Sequence, residues 1–132
     1  IIDQVLEFNP NSPTALAKKG SFCAQSGDLS NAIPLLTRSL SLTNDYGARL
    51  TRGVALMQNG RLDEAEADFQ ELLSTFPTNH QTFPGLGELA LRRKDTNAAI
   101  QYFEQFLTNL PPNSLEARAT AARLRSLQSS QP

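Results

Sequence analysis

The chain has 132 residues, 39% of them hydrophobic, a formal charge of −1 at pH 7 and a single cysteine; that is long enough for one domain, and it excludes an internal disulfide and a multi-cysteine zinc site. A near-neutral charge and a pI near 5.8 provide no field for gathering nucleic acid. No apolar run approaches the roughly 20 residues needed to cross a bilayer, so neither nucleic-acid binding nor direct membrane insertion is expected. The chain opens at Ile1 instead of methionine and reads as a piece of something longer, so the lack of a leader says nothing about location. Scarce lysine beside many Gln, Asn, Ser and Thr suits a cytoplasmic or a bacterial exported protein, and the compartment stays open.

In chain order, "IIDQVLEF" reads as the tail of an earlier second helix, because Asn9-Pro10 mirrors Phe76-Pro77 and Leu110-Pro111; residues 1–12 are then the end of a truncated preceding repeat. Paired helices follow at 14–26 and 30–42, at 46–59 and 63–75, and at 81–93 and 97–109. Ser30 and Asp63 are the expected N-caps of two second helices, with Pro34 within or just beyond the tolerant first turn. Pro84, followed by Gly85 and Gly87, requires a helix that begins late with Thr82 as cap, or one that kinks. Gly27 and Gly60 read as helix-ending residues at positive φ, and Lys94 stands at the same place in the third pair under mild strain. After Pro111-Pro112, "NSLEARATAARLRSL" places Leu115, Ala119, Ala122 and Leu127 at amphipathic spacing, a closing helix over 114–127 with a frayed tail at 128–132.

Gly20, Gly53 and Gly87 recur at intervals of 33 and 34 residues, each heading a matching set. Leu16, Cys23, Ala32 and Leu36 accompany the first, Arg49, Leu56, Ala65, Phe69 and Pro77 the second, and Phe83, Ala90, Ala99, Phe103 and Pro111 the third. These residues resemble the tetratricopeptide repeat family over about residues 13–113, as copies at 13–45, 46–79 and 80–113. The resemblance implies an all-α fold, a right-handed α-solenoid of antiparallel helix pairs with a C-terminal capping helix. The glycine lets the first helix of a pair approach the second, where Ala32, Ala65 or Ala99 offers a facing small surface and Leu36, Phe69 or Phe103 fills the volume a turn on. Lys19, Arg49 and Arg52 depart from the pattern, standing where the family prefers large apolar residues.

Candidates for chemistry are few. His80, the sole histidine, reads as a solvated turn residue, and Cys23 as a buried, inert thiol. The acidic series Asp63, Glu64, Glu66, Asp68 and Glu71 suits a helix N-terminus and a solvated outer face better than an acid pair for catalysis. Arg92, Arg93 and Lys94 suit a helix C-terminus, and Arg118, Arg123 and Arg125 a soluble cap. No phosphate loop or metal-ligand spacing occurs, so no enzyme activity, catalytic residue, cofactor or metal is expected.

The resemblance also implies a concave groove lined by first helices and receiving a peptide or a partner helix. Its residues by register are Thr14, Ala17, Ser21, Leu50, Val54, Met57, Gln58, Gln81, Pro84, Glu88, Leu91 and Arg118. Leu50, Val54 and Met57 make one helical stripe, which is either buried within the repeat or the apolar floor of a groove. Family members that grip chaperone C-terminal carboxylates use a basic clamp on this face; the matching positions here hold Ala17, Ser21, Thr51, Gln81 and Gly85, which disfavours that ligand. The expected function is a non-catalytic scaffold for another protein, with self-association into a homo-oligomer, or a recruiting arm of a larger enzyme, as alternatives.

Overall fold

The computed structural model describes residues 1–131, which form eight α-helices and no strand: α1 (Ile2–Phe8), α2 (Pro13–Gln25), α3 (Leu29–Leu42), α4 (Tyr46–Gln58), α5 (Leu62–Thr75), α6 (Thr82–Arg92), α7 (Thr96–Thr108) and α8 (Leu115–Ser129). Pro132, the last residue of the expected tail, lies outside the described residues. The chain divides into two compact units, Ile1–Phe76 and the part from Pro77 onward. Within the first, α2 packs on α3, α3 on α4, and α4 on α5, with α1 and α4 also touching α2; within the second, α6 packs on α7 and α7 on α8.

Local chemistry explains the helix starts. The Ser12 hydroxyl accepts from the Ala15 amide at 3.2 Å ahead of Pro13, and Asp45, Asp95 and Ser114 accept in the same way from Ala48, Ala98 and Ala117. Ser30 and Asp63 are not the caps expected of them. The N-caps stand two residues earlier, at Asp28 and Arg61, which leaves both residues in the first turn. Ser30 instead donates to Asp28 Oδ1 at 3.1 Å. Pro34 stands well inside α3, where it removes the bond to the Ser30 carbonyl; Ser30 is exposed, so water can serve that oxygen. Pro84 falls in the first turn of α6, which opens at Thr82 after Gln81, so its missing amide costs nothing.

The first helices of the three pairs end alike. Gly27 and Gly60 have φ of 82° and 80°, and Lys94 adopts 61° in the corresponding place. Each lets the next amide reach back five residues: Asp28 to the Cys23 carbonyl at 2.8 Å, Arg61 to Leu56 at 2.8 Å, and Asp95 to Ala90 at 2.9 Å.

Tight contact follows the three repeated glycines. A Cβ at Gly20 would lie 2.7 Å from Leu36 Cγ, at Gly53 2.8 Å from Phe69 Cε1, and at Gly87 2.7 Å from Phe103 Cζ. The glycine therefore faces the large residue itself. The alanine expected on the facing helix is fully buried in each pair, and at Gly20 the Ala32 carbonyl lies 3.4 Å from the Cβ position.

Helix α8 exists, with a different inward face from the one expected. Ala117, Thr120 and Leu124 are buried and Leu127 packs beside the Ala90, Ala99, Ile100, Phe103 and Leu124 cluster, whereas Leu115, Ala119 and Ala122 are exposed. Thr120 tolerates burial because its hydroxyl donates to the Glu116 carbonyl at 2.9 Å. The helix also runs on into the expected tail, where Gln128 donates to Glu104 and Gln131 to Asn97.

Two outcomes check this packing. Gly53→Ala should lower unfolding free energy by about 1–3 kcal/mol despite alanine's better helix propensity, because the Phe69 ring is fully enclosed and cannot swing away. Gly47→Ala, which meets only Asp45 Oδ2 at 3.3 Å, should change it by less than about 1 kcal/mol in the same urea titration. The second concerns α1. Lys19 donates to Asp3 at 2.7 Å, and that hydrogen bond, then the ammonium charge, holds the Asp3 carboxyl below its ordinary 3.8. A depressed carboxyl stabilises the folded form above its unfolded value and stops doing so as pH falls through the lowered one. NMR shifts of Leu6 should therefore show α1 loosening from α2 below pH 3.8 and unchanged near neutrality; an identical signal at both ends would mean that the pair contributes nothing.

Candidate binding surface

Along α2, Ala17, Ser21, Ala24 and Gln25 lie off the Leu16 and Gly20 stripe that faces α3; along α4, Leu50, Val54 and Gln58 lie off the Gly53 and Leu56 stripe that faces α5. Where α2 meets α4 these two secondary stripes border a cleft of about 380 Å³, lined by Ser21, Ala24, Gln25, Leu50, Thr51, Val54, Ala55 and Gln58. A second recess of about 440 Å³ shares Ser21, Gln25 and Thr51 with it and adds Ile2, Ala17, Lys18, Phe22, Asp45 and Gly47.

Of the groove residues named from register, Ala17, Ser21, Leu50, Val54 and Gln58 thus come together in the first unit. Leu50 and Val54 are half-buried, so that part of the stripe reaches the surface. Met57 does not: it is 4% exposed and belongs to the interior. Thr14 is exposed in the first turn of α2 and lines neither recess. Phe22, 68% exposed, is a wall residue that register did not supply. Its signal was present as an aromatic standing off the core stripe of its own helix.

The other five lie in the second unit. Gln81 is the exposed N-cap of α6, Pro84 is half-buried in its first turn, and Arg118 is exposed on α8. Glu88 is paired with Arg123 of α8, whose guanidinium also sits 4.9 Å over the Phe103 ring. Leu91 packs against the cluster around Phe103. Glu88 and Leu91 are therefore engaged in fastening α8 to its own unit.

Among the described residues no group of His, Cys, Asp and Glu side chains is arranged to hold a metal ion. His80 is not a solvated turn residue, since it is half-buried with its ring 5.9 Å from Phe106. Cys23 is not fully buried either; it borders an open recess with Lys19, Asp28, Asn31, Pro34, Leu35 and Arg38.

The tetratricopeptide repeat family model matches residues 27–80 and again residues 50–114. The chain belongs to the tetratricopeptide repeat family. Among curated proteins it is similar to DnaJ homolog subfamily C member 3 of Bos taurus, 28% identical over 118 residues, covering 77% of this chain and 23% of the relative. The Homo sapiens protein of the same name is 34% identical over 77 residues, covering 58% and 15%. The chain thus spans less than a quarter of the length of these relatives. Similar solved structures include MamA (TM-score 0.79, 19% identity, covering 97% of this chain and 75% of that one) and the first TPR of Spaghetti (RPAP3) bound to the HSP90 peptide SRMEEVD (0.76, 18%, 89% and 96%). The all-α helical repeat fold is shared with both.

The departures from the tetratricopeptide pattern at Arg49 and Arg52 have one explanation. Asp68, expected on a solvated face, is 3% exposed and lies between them. Arg52 grips it through Nε at 2.8 Å to Oδ2 and Nη2 at 2.6 Å to Oδ1, while Arg49 Nη1 donates to Oδ1 at 3.3 Å. Both guanidiniums are largely buried, and Arg49 Nε has no hydrogen-bond partner. The two cations thus tie α4 to α5 through one carboxylate, at positions where the third pair has Phe83, Leu86 and Tyr102. Lys19, the third departure, serves Asp3 of α1. The remaining acids need no shared chemistry: Asp63, Glu64 and Glu71 are exposed, and Glu64 is held below the usual carboxylate range by the hydrogen bonds it accepts from Arg61.

Removing one member of such a cluster strands the others. Asp68→Ala should cost about 3 kcal/mol in urea unfolding, whereas adding Arg49→Leu and Arg52→Leu to it should recover most of that loss. Equal stability of wild type and Asp68→Ala would show the cluster to be without weight.

Proposed function

We propose that this chain is a non-catalytic protein-interaction scaffold, and that the cleft between α2 and α4 in its first unit receives a peptide or helix segment of another protein. One observation carries the reading: the half-buried Leu50 and Val54 line a cleft of about 380 Å³ together with the hydroxyls of Ser21 and Thr51 and the amides of Gln25 and Gln58. Half-exposed aliphatic side chains flanked by neutral polar groups suit a protein ligand. Neither the cleft nor the recess that adjoins it gathers a convergent acid, base and nucleophile. The peptide-bound Spaghetti domain lends support, being similar in fold and holding a ligand segment.

Val54→Glu puts a charge in the cleft. Selection from a library of displayed random peptides should recover binders for wild type that Val54→Glu binds at least about tenfold more weakly, since a buried carboxylate without a partner is costly. The melting temperature should move by no more than about 4 °C, as for a surface substitution. A much larger fall would show that Val54 is interior, and the groove reading would be lost.

A further inference from the structure

We infer that the α2–α4 cleft takes an extended, uncharged segment bearing aliphatic side chains at alternate positions. This rests on the binding-scaffold reading above and names the chemistry of the partner. The first argument is charge. No ionisable side chain lines the cleft. The adjoining recess adds one lysine and one aspartate, Lys18 and Asp45, which balance each other, and the Asp45 carboxylate is already engaged by the Ala48 amide at 2.8 Å. An acidic or basic segment would surrender its hydration here to a surface offering no counter-charge, whereas a neutral one surrenders little.

The second argument separates an extended segment from a helix. A helix satisfies its backbone groups internally, while an extended chain must find partners for them outside. The cleft lining supplies such partners. Gln25 and Gln58 each carry a donor and an acceptor, and Ser21 carries both in one hydroxyl. Thr51 donates its hydroxyl proton to the Gly47 carbonyl at 2.8 Å, which leaves its oxygen to accept an N–H. These groups read a main chain, and they would stand idle against a helix whose main chain is closed. In an extended segment, alternate side chains face the same way, so every second residue would meet Leu50 and Val54.

Length follows from geometry. Leu50 to Gln58, the stretch of α4 that lines the cleft, spans about 12 Å at 1.5 Å per helical residue. That matches about four residues of extended chain at roughly 3.3 Å each.

The test uses fluorescence anisotropy with three labelled, end-capped heptapeptides. The first alternates Ser with Leu or Val. The second replaces the aliphatic residues by Glu. The third keeps the first sequence but methylates alternate backbone nitrogens. The neutral peptide should bind with an affinity that changes less than about twofold between roughly 0.05 and 0.5 M salt. The acidic peptide and the N-methylated peptide should each bind at least about tenfold more weakly. Thr51→Lys, checked for an unchanged melting temperature, should raise affinity for the acidic peptide. Preference of wild type for the acidic peptide, a steep salt dependence, or indifference to N-methylation would overturn the inference while leaving the scaffold reading intact. So would wild type that ignores all three peptides yet selects displayed peptides of another kind. Failure to select any displayed peptide would remove the scaffold reading itself, and this inference with it.

Discussion

The fold depends on three places where a helix backbone meets a large side chain with nothing between them. At Gly20, Gly53 and Gly87 the space a Cβ would occupy is already taken by Leu36, Phe69 and Phe103. Each glycine weakens its own helix by roughly 1 kcal/mol relative to alanine. The compensation is an enclosed aromatic or leucine side chain, which contributes on the order of 2 kcal/mol by burial alone and rather more through close packing. The repeat period is therefore set by a contact between helices, and the helical propensity of the glycine itself works against it.

Fixing the first helix against the second also fixes what is left over. With Gly53 and Leu56 turned toward α5, α4 presents Leu50, Val54 and Gln58 on an adjacent strip, and α2 does the same with Ser21 and Gln25. The cleft is thus a by-product of core packing, made from positions that the pairwise contact does not use. The second unit uses its equivalent strip differently, since Glu88 and Leu91 are occupied by Arg123 and the Phe103 cluster, and α8 is secured in consequence.

Much of this was legible in residue order. The glycine period located all three helix pairs to within a residue or two, because close approach leaves a mark that few other constraints mimic. Positive φ at Gly27 and Gly60, and at Lys94, could be read from their place beyond the helix end. Helix starts were less legible: Ser30 and Asp63 looked like caps by type, but the caps fall two residues sooner, and Asp28 makes the local bonds in α3. In α8, alanines occur on several faces, so the stripe through Leu115 and Ala119 was as plausible on paper as the true one through Ala117, Thr120 and Leu124. Asp68 was misplaced for a different reason. It falls three residues after Ala65 and one before Phe69, within the buried stripe, but a carboxylate there makes sense only once two arginines from α4 are seen to meet it. Within the candidate site, Met57 shared the spacing of Leu50 and Val54, and only the angular drift of a 3.6-residue helix carried it inward.

The matching turns that close α2, α4 and α6 bear on how such a protein changes length over evolutionary time. Because Asp28, Arg61 and Asp95 make the same backward reach after the same left-handed residue, the joint is written in main-chain atoms and asks almost nothing of its neighbours. A genetic duplication or deletion of one whole hairpin would carry its own hinge with it. Drift in side-chain identity, such as two arginines and an aspartate where the next hairpin has Phe83, Leu86 and Tyr102, can then proceed hairpin by hairpin while the joinery stays constant.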